Sequence, residues 1–395
     1  MAARLHRPRS GTPRAVRECG PGTAQKEEPM SERRRRRGVR ALAAATLLIG
    51  SVLPSVVAAT PSAAANPSLD HVFVIMLENH SYDSIIGDSH APYFNQLADH
   101  YALATSYYGV THPSEPNYIA ATSGHNWWLN NDDPDNRVDH RNIVDELEAN
   151  NVPWGAYMDA MPSTGFQGNT ANGGLYVNRH NPFMLYTDVR DDSARRQHIK
   201  PYTSLNDDLN GRNGTIPRYV WISPDICNDM HGGVDTAVPG HPESPCPAAD
   251  TKDDANDIAL KSKAETFVHK AVDTITASQA WNSGSTNAIV IVPDESDNFG
   301  GDSTGGYADT HSCCDSPITP AGDPDISPNW PGGHYGGGHI PAIVISKNGP
   351  RNFKDDSDFN HYALLQTIED GFGLNRLALT ADTNRVHPMW SLILP

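Results

Sequence analysis

His71-Val72-Phe73-Val74-Ile75-Met76-Leu77, running straight into Glu78-Asn79-His80, is the stretch that decides the fold. From Val72 to Leu77 every residue is apolar, with no polar alternation, so neither side of the segment suits water. A short run of this kind, rich in branched side chains, reads as a strand buried on both faces, the type that parallel sheets contain. The polar triplet then falls at the carboxyl end of that strand, where open α/β sheets place their ligands.

Four further runs of the same character follow: Val152 to Met158, Pro217 to Ser223, Ala288 to Pro293 and Pro341 to Ser346. Stretches with helical spacing separate them, at Tyr93 to Tyr101, Asn142 to Asn150, Asp257 to Ala280 and His361 to Phe372. The alternation predicts an α/β fold with a central, mostly parallel sheet flanked by helices on both faces. From Asp297 to Gly338 the composition turns to Gly, Asp, Pro and Ser with almost no aliphatic residues. That predicts one long irregular loop, and loops of such length are commonly functional. No internal repeat or second compositional regime occurs, so residues 66–395 are expected to form a single domain.

Upstream, Arg33 to Arg37 and Arg40 precede an Ala-rich apolar run from Ala41 to Ala59 and the small residues Ser62-Ala63-Ala64-Ala65. This is the order of an export signal, with cleavage expected after Ala65 and residues 1–65 removed. A retained membrane anchor is the alternative, and Pro54 and the small-residue tail argue against it, leaving no stable span after processing. Residues before Met30 lack apolar periodicity, so Met30 is an alternative start, and the consecutive arginines also suit the twin-arginine route. The leader holds 12 of the 30 basic and 4 of the 47 acidic residues, so the remainder carries a formal charge of −25. Nucleic acid is thereby excluded as a partner, and any phosphate site would call for bound cations to offset the repulsion. Nothing in the sequence fixes an oligomeric state.

Beyond the leader stand four cysteines, Cys227, Cys246, Cys313 and Cys314, an even number suited to an oxidising compartment and two disulfides. Neighbouring cysteines bridge each other only with strain, so bonds joining Cys227 and Cys246 to the Cys313-Cys314 pair are expected. Zinc binding by the four is the weaker alternative.

Three strand ends carry metal-ligand types: Glu78-Asn79-His80 after the first, Asp225, Asn228, Asp229 and His231 after the third, and Asp294-Glu295 after the fourth. A single Asp or Asn after a strand is usually a cap or a solvated turn; three such sites at one sheet edge point to bound cations. Thr111-His112-Pro113-Ser114-Glu115-Pro116-Asn117-Tyr118 supplies a reactive hydroxyl, with prolines stiffening the chain around Ser114 and a helix-compatible run from Asn117 to Thr122 behind it. Near a helix N-terminus the unpaired N–H groups attract a phosphoryl group, and a nearby cation lowers the hydroxyl's pKa. Locally, Ser114 suits the role of an N-cap serine equally well.

Glu78-Asn79, His112 to Tyr118, Asn228-Asp229-Met230-His231, Asp294-Glu295 and His339 before Pro341, in this order, resemble the bacterial phosphoesterase family of acid phosphatases and phospholipases C, in the alkaline-phosphatase superfamily. The similarity runs from Leu69 to Leu374 and looks closest to secreted acid phosphatases, including ones that act on phosphoinositides. The resemblance implies an alkaline-phosphatase-like fold and an exported phosphatase. It implies Ser114 as the phosphoryl-accepting nucleophile and Asn117 as a donor to the transferring group. Glu78, Asn79, Asp294 and Glu295 become metal ligands, and Asp229, His231 and His339 resemble the ligands of a second metal. One divalent ion or two, of Ca, Mg, Mn or Zn, are consistent with it. His112 and His361 resemble positions of the acid-phosphatase branch, as proton donors, phosphate contacts or hydrogen-bonded structural histidines. In Asn178-Arg179-His180-Asn181-Pro182-Phe183, Arg179 is a candidate phosphate grip or a surface salt bridge. His339 precedes its strand, so it reaches the same edge only if Pro341 to Ser346 runs antiparallel or the preceding glycines fold back.

The expected substrate is a small-molecule or lipid phosphate ester. A phospholipase C would use the same apparatus with a diacylglycerol leaving group, for which Trp127 and Trp128 are candidate contacts, although paired tryptophans usually pack in cores. A calcium-stabilised exported binding protein is the non-catalytic alternative. Gly332 to Gly338 lack the spacing of a dinucleotide loop, and Ser114 lacks the Gly-x-Ser-x-Gly of serine hydrolases.

Overall fold

The computed structural model describes residues 67–297, 299, 309–314 and 336–395. The expected leader, residues 1–65, and most of the expected loop 297–338 lie outside the described residues. No described helix is long and apolar enough to cross a membrane.

Eight strands form the main sheet: β1 (His71–Leu77), β2 (Ala102–Tyr108), β3 (Trp154–Met158), β4 (Ile199–Pro201), β5 (Tyr219–Ser223), β6 (Asn287–Pro293), β7 (His339–Ser346) and β8 (Phe353–Asn360). Their order is β8-β2-β7-β6-β1-β5-β3-β4, and every neighbouring pair is parallel except the two made by β7. All seven residues of β1 are buried, as its composition requires. The five strands read from apolar runs are β1, β3, β5, β6 and β7.

Five longer helices cover the sheet: α1 (Pro92–His100), α2 (Ser114–Ser123), α3 (Ile143–Ala149), α4 (Ala255–Ala277) and α5 (His361–Phe372). Side chains alternate across β1, so Val72, Val74 and Met76 join one apolar cluster with Tyr118, Ile119, Val144, Leu147, Leu364 and Leu365. Phe73, Ile75 and Leu77 join the other, with Phe94, Leu97, Leu260, Ala264 and Val268. Hence α2, α3 and α5 lie on one face and α1 and α4 on the other. Full burial of each such side chain stabilises the fold by about 1.5–3 kcal/mol. The ends are set locally: Asp254 caps α4 through Asn256 N and Asp257 N, Asn360 caps α5 through Tyr362 N and Ala363 N, and Gly373 at φ +68° closes α5.

The disulfide expectation is corrected. Cys227 bonds to Cys246, with Cα atoms 5.4 Å apart, and Cys313 bonds to Cys314. The cause is the chain after β5, which folds back so that Cys246 N donates to Val234 O and Gly233 N to Cys246 O, carrying Cys246 onto Cys227.

Where β2 ends and β7 begins, Gly109 and Gly337 meet backbone to backbone. Gly337 N donates to Gly109 O (3.1 Å), Gly109 N to Gly338 O (3.0 Å) and Ser296 N to Gly337 O (2.7 Å). A Cβ on Gly109 would stand 2.7 Å from Gly337 O, and one on Gly337 2.6 Å from the Gly109 carbonyl carbon. Neither position has room for a side chain.

On α5, Glu369 is fully buried; its Oε1 accepts from Leu377 N (2.9 Å) and its Oε2 has no partner among the described residues. Burial pushes its pKa from 4.5 up to about 8. The folded state therefore keeps a proton that the unfolded chain has released, and this contribution to stability is complete below the unfolded pKa and lost as pH rises toward 8. Glu369→Gln is expected to flatten the fall in Tm between about pH 5 and pH 8, a range in which each pKa unit corresponds to about 1.4 kcal/mol. Parallel melting curves for variant and wild type across that range would acquit Glu369.

Candidate active site

The carboxyl edge of the parallel strands gathers the chemistry, as it does in open α/β sheets generally. β1 delivers Glu78 and Asn79, β6 delivers Asp294 and Glu295, and the turn after β5 delivers Asp229 and His231. The chain leaving β2 passes through Thr111–Pro113 into α2. β7 runs antiparallel, so His339, its first residue, stands at this edge as well.

Ser114 is the first residue of α2, behind Pro113 in the N-cap position. Its hydroxyl does not cap the helix. Ser114 Oγ lies 2.8 Å from Glu78 Oε2 and 3.1 Å from Glu295 Oε1. Asn79 Nδ2 donates to Ser114 Oγ (3.2 Å) and to Glu295 Oε1 (2.6 Å), and Asn79 N donates to Asp294 Oδ1 (3.3 Å). Asn79 makes these contacts with its backbone at φ +23°, outside the regions favoured by L-residues. One buried hydroxyl is thus held among two carboxylates and an amide drawn from two segments distant from its own.

Electrostatically the site is far from balanced. Burial pushes the carboxyl groups of Glu78, Asp229, Asp294 and Glu295 well above their ordinary range. Mutual repulsion adds to this, from Asp294 and Asp229 on Glu78 and from Glu295 on Asp294. Asp294 Oδ2 is buried without a hydrogen-bond partner among the described residues. His180, whose pKa burial pushes well down, pairs through Nδ1 with Asp229 Oδ2 (2.9 Å). Its Nε2 lies 3.3 Å from Glu78 Oε1 but is misaligned for a hydrogen bond. Tyr118 donates its hydroxyl proton to Glu78 Oε1 and stacks on the His180 ring.

This donor set fits a divalent cation. Buried, mutually repelling carboxylates, an orphaned carboxylate oxygen and an unprotonated imidazole are what a cation would satisfy. Glu78, His180 and His231 each offer a ligand atom within 4.8 Å of the others. Glu78, Asn79, Asp294 and Glu295 form an adjoining oxygen-rich set around Ser114, and Glu78 belongs to both.

Other candidates sit differently from their expected roles. Asn117 does not face the hydroxyl: its Oδ1 accepts from Val110 N and Thr111 N, and its Nδ2 donates to Thr111 O and Pro113 O. It braces the turn that presents Ser114. His112 pairs through Nδ1 with Glu295 Oε2 and through Nε2 with Asp309 O. His361 pairs with the Tyr107 hydroxyl and with Asp294 O. Both rings are buried behind the carboxylates. His339 turns its ring away, pairing with Thr105 O (2.8 Å) and stacking on Tyr82. Arg179 is partly exposed, has its NH2 nitrogen 3.4 Å from His231 Nε2, and makes no salt bridge within 4 Å to a carboxylate among the described residues. Trp127 stacks on His140 and donates to Ser123 Oγ.

Two members of the cluster escaped the sequence reading. His180 lies in the segment singled out for Arg179, and Tyr118 closes the one singled out for Ser114. A histidine beside an arginine and a tyrosine one helical turn after the serine were the available signals.

The sequence model of the Phosphoesterase family matches residues 88–241 and 247–375. The chain belongs to the phosphoesterase family. Glu78 and Asn79 lie upstream of the matched phosphoesterase region. Relatives include the acid phosphatase of Aspergillus fumigatus, 37% identical over 170 residues that cover 42% of this chain and 37% of that one. The phosphatidylinositol-3-phosphatase of Mycobacterium tuberculosis is 31% identical over 199 residues, 49% of this chain and 64% of that one. The phosphoesterase chain spans about two fifths of the length of the fungal acid phosphatases it matches. The acid phosphatases matched are fungal, where the resemblance had pointed to bacterial ones. Among solved structures, a protein in the alkaline phosphatase superfamily from Vibrio parahaemolyticus is similar at TM-score 0.44 and 14% identity, over 78% of this chain and 68% of that one.

Proposed function

We propose that the protein is an exported, metal-dependent phosphomonoesterase, a single catalytic domain behind a cleaved leader, with Ser114 as its nucleophile. The observation that carries this reading is the buried Ser114 hydroxyl at the start of α2, bonded between Glu78 and Glu295. Acid phosphatase relatives support a phosphate monoester as substrate, and the phosphatidylinositol-3-phosphatase relative adds a phosphoinositide headgroup as a candidate.

In this mechanism Ser114 Oγ attacks phosphorus in line with the leaving alcohol and releases its proton to Glu78 Oε2, 2.8 Å away. Asn79 fixes the direction of the oxygen lone pairs, and Arg179 supplies the positive charge that grips the phosphoryl oxygens. Divalent cations held by Glu78, Asn79, Asp294 and Glu295, with His180, Asp229 and His231 at the neighbouring position, would lower the serine's pKa and offset phosphate charge. His112 and His361 hold Glu295 and the Asp294 backbone in place. Water then hydrolyses the phosphoserine, and Glu78 returns the proton to Ser114 Oγ.

Trp127 is committed to His140 and Ser123, which favours the monoesterase over a phospholipase C with a groove at that tryptophan. Purified protein supplied with divalent cations is expected to turn over p-nitrophenyl phosphate and to leave p-nitrophenylphosphorylcholine largely intact. Preferential hydrolysis of the choline diester would overturn the monoesterase reading.

A further inference from the structure

We infer that Asp132 is the general acid of this reaction, the group that hands the departing alcohol its proton. The inference rests on the phosphoryl-transfer reading above and supplies the proton that reading leaves without a source.

The histidines at the site are otherwise engaged. His112 is held by Glu295 and Asp309 O, and His361 by Tyr107 and Asp294 O. His180 faces Asp229 and Glu78. His231 pairs with Gly232 O (2.9 Å) and faces Arg179. A proton delivered by any of these rings would require it to leave a carboxylate, a carbonyl or Arg179.

Asp132 is placed otherwise. It lies in the loop following α2, and its Oδ1 accepts from Glu115 N (2.9 Å), the amide next to the nucleophile. The carboxyl group therefore sits over the first turn of α2, where a phosphoryl group on Ser114 would be received. Its Oδ2 has no hydrogen bond among the described residues, and the side chain is only partly buried, so that oxygen is available to a ligand. Asp132 interacts electrostatically with Arg179 and with Glu295, two of the groups that the proposed mechanism sets around the phosphate. Burial raises its pKa, against the opposing pull of the Glu115 amide and Arg179, in the direction an acid that must hold a proton needs.

The proton account closes. As the bond from phosphorus to the leaving oxygen breaks, its electron pair stays on that oxygen, which takes the proton from Asp132 Oδ2. The Asp132 carboxylate then removes a proton from the water that attacks the phosphoserine, and the Ser114 oxygen regains its own from Glu78. Ester plus water becomes alcohol plus phosphate, with every group restored.

The test is leaving-group dependence. p-Nitrophenolate departs readily without a proton, whereas an alkoxide does not. Asp132→Asn is therefore expected to lower kcat/KM for glycerol phosphate on the order of a hundredfold more than for p-nitrophenyl phosphate. Asp132→Glu, which keeps a carboxyl group, is expected to recover part of that ratio. An equal fall on both substrates, or an unchanged ratio, overturns the assignment. Should the asparagine variant fail to fold, as judged by its melting curve, Asp132→Ser is read by the same ratio. Full activity in Ser114→Ala would remove the nucleophile reading alone, since the ratio reports protonation of the leaving group whichever group attacks.

Discussion

Replacing Ser114 by alanine is expected to lower kcat for p-nitrophenyl phosphate by about a thousandfold or more, the scale on which loss of an activated nucleophile is felt. The side chain is small and sits in a polar pocket, so little packing is lost and the protein is expected to stay folded. Its removal takes a donor from Glu78 Oε2 and Glu295 Oε1, which adds to the repulsion already present there. Acid-quenched wild-type protein is expected to carry phosphate on the peptide containing Ser114, and the variant none. Undiminished turnover in the variant would sink the nucleophile assignment and leave phosphoryl transfer to another group.

Removing divalent cations should be nearly as damaging. With a chelator at neutral pH, phosphatase activity is expected to disappear and Tm to fall on the order of 5 °C, matching the roughly 2.7 kcal/mol that a ligand at a hundred times its Kd provides. The cause is the group Glu78, Asp229, Asp294 and Glu295, buried and mutually repelling. Carboxyl groups with raised folded pKa favour folding most at low pH and progressively less as pH rises. The chelated protein is therefore expected to be most stable in acid and to weaken toward neutrality. In chelator, Glu78→Gln should melt above wild type, because one member of the repelling set has gone; with cations restored it should remain inactive. Equal activity with and without chelator would count against metal dependence.

Which parts of this molecule could be read in advance follows from where burial is two-sided. β1, β3, β5, β6 and β7 lie inside the sheet, and their composition had to be apolar on both faces. β8 is an edge strand, Phe353-Lys354-Asp355-Asp356-Ser357-Asp358-Phe359-Asn360, and only its last two residues are buried. Four acidic or basic residues in such a run carry no strand signal. β2 was missed for a related reason, since Thr105, Ser106 and Tyr108 are half-buried and the run is weakly apolar. At three residues β4 is too short to show a period.

The site divides in the same way. Ligand types placed directly after a buried strand were legible, because the strand fixes where they go: Glu78, Asn79, Asp294 and Glu295 meet around Ser114. Side-chain direction within the Thr111 to Tyr118 loop was not legible. Asn117 could equally have pointed toward Ser114, and only the folded turn shows its amide spent on Val110, Thr111 and Pro113. His112 and His361 likewise have their rings turned by contacts from Glu295 and Asp294, far away in sequence. His180 was hidden because its importance depends on Asp229 and Glu78, both brought to it by the sheet. The cysteine pairing depended on the hairpin-like return at Val234, for which composition offers no sign.

The contact between Gly109 and Gly337 separates two things that a lineage can change. The stretch from Asp297 to Gly338 leaves the sheet beside Ser296 and rejoins it at Gly337, and both ends are tied to the same few backbone atoms. Away from Asp309, whose carbonyl meets the His112 ring and whose carboxylate accepts from His339 N, its length and composition are expected to drift without moving Asp294, Glu295 or the turn that carries Ser114. New substrate preferences are therefore expected to arise by insertion or exchange in that stretch away from Asp309, where the ring that holds Glu295 is left in place. Gly109 and Gly337 have no such freedom: a methyl group at either would pry apart the point where the changeable part is fastened to the constant one.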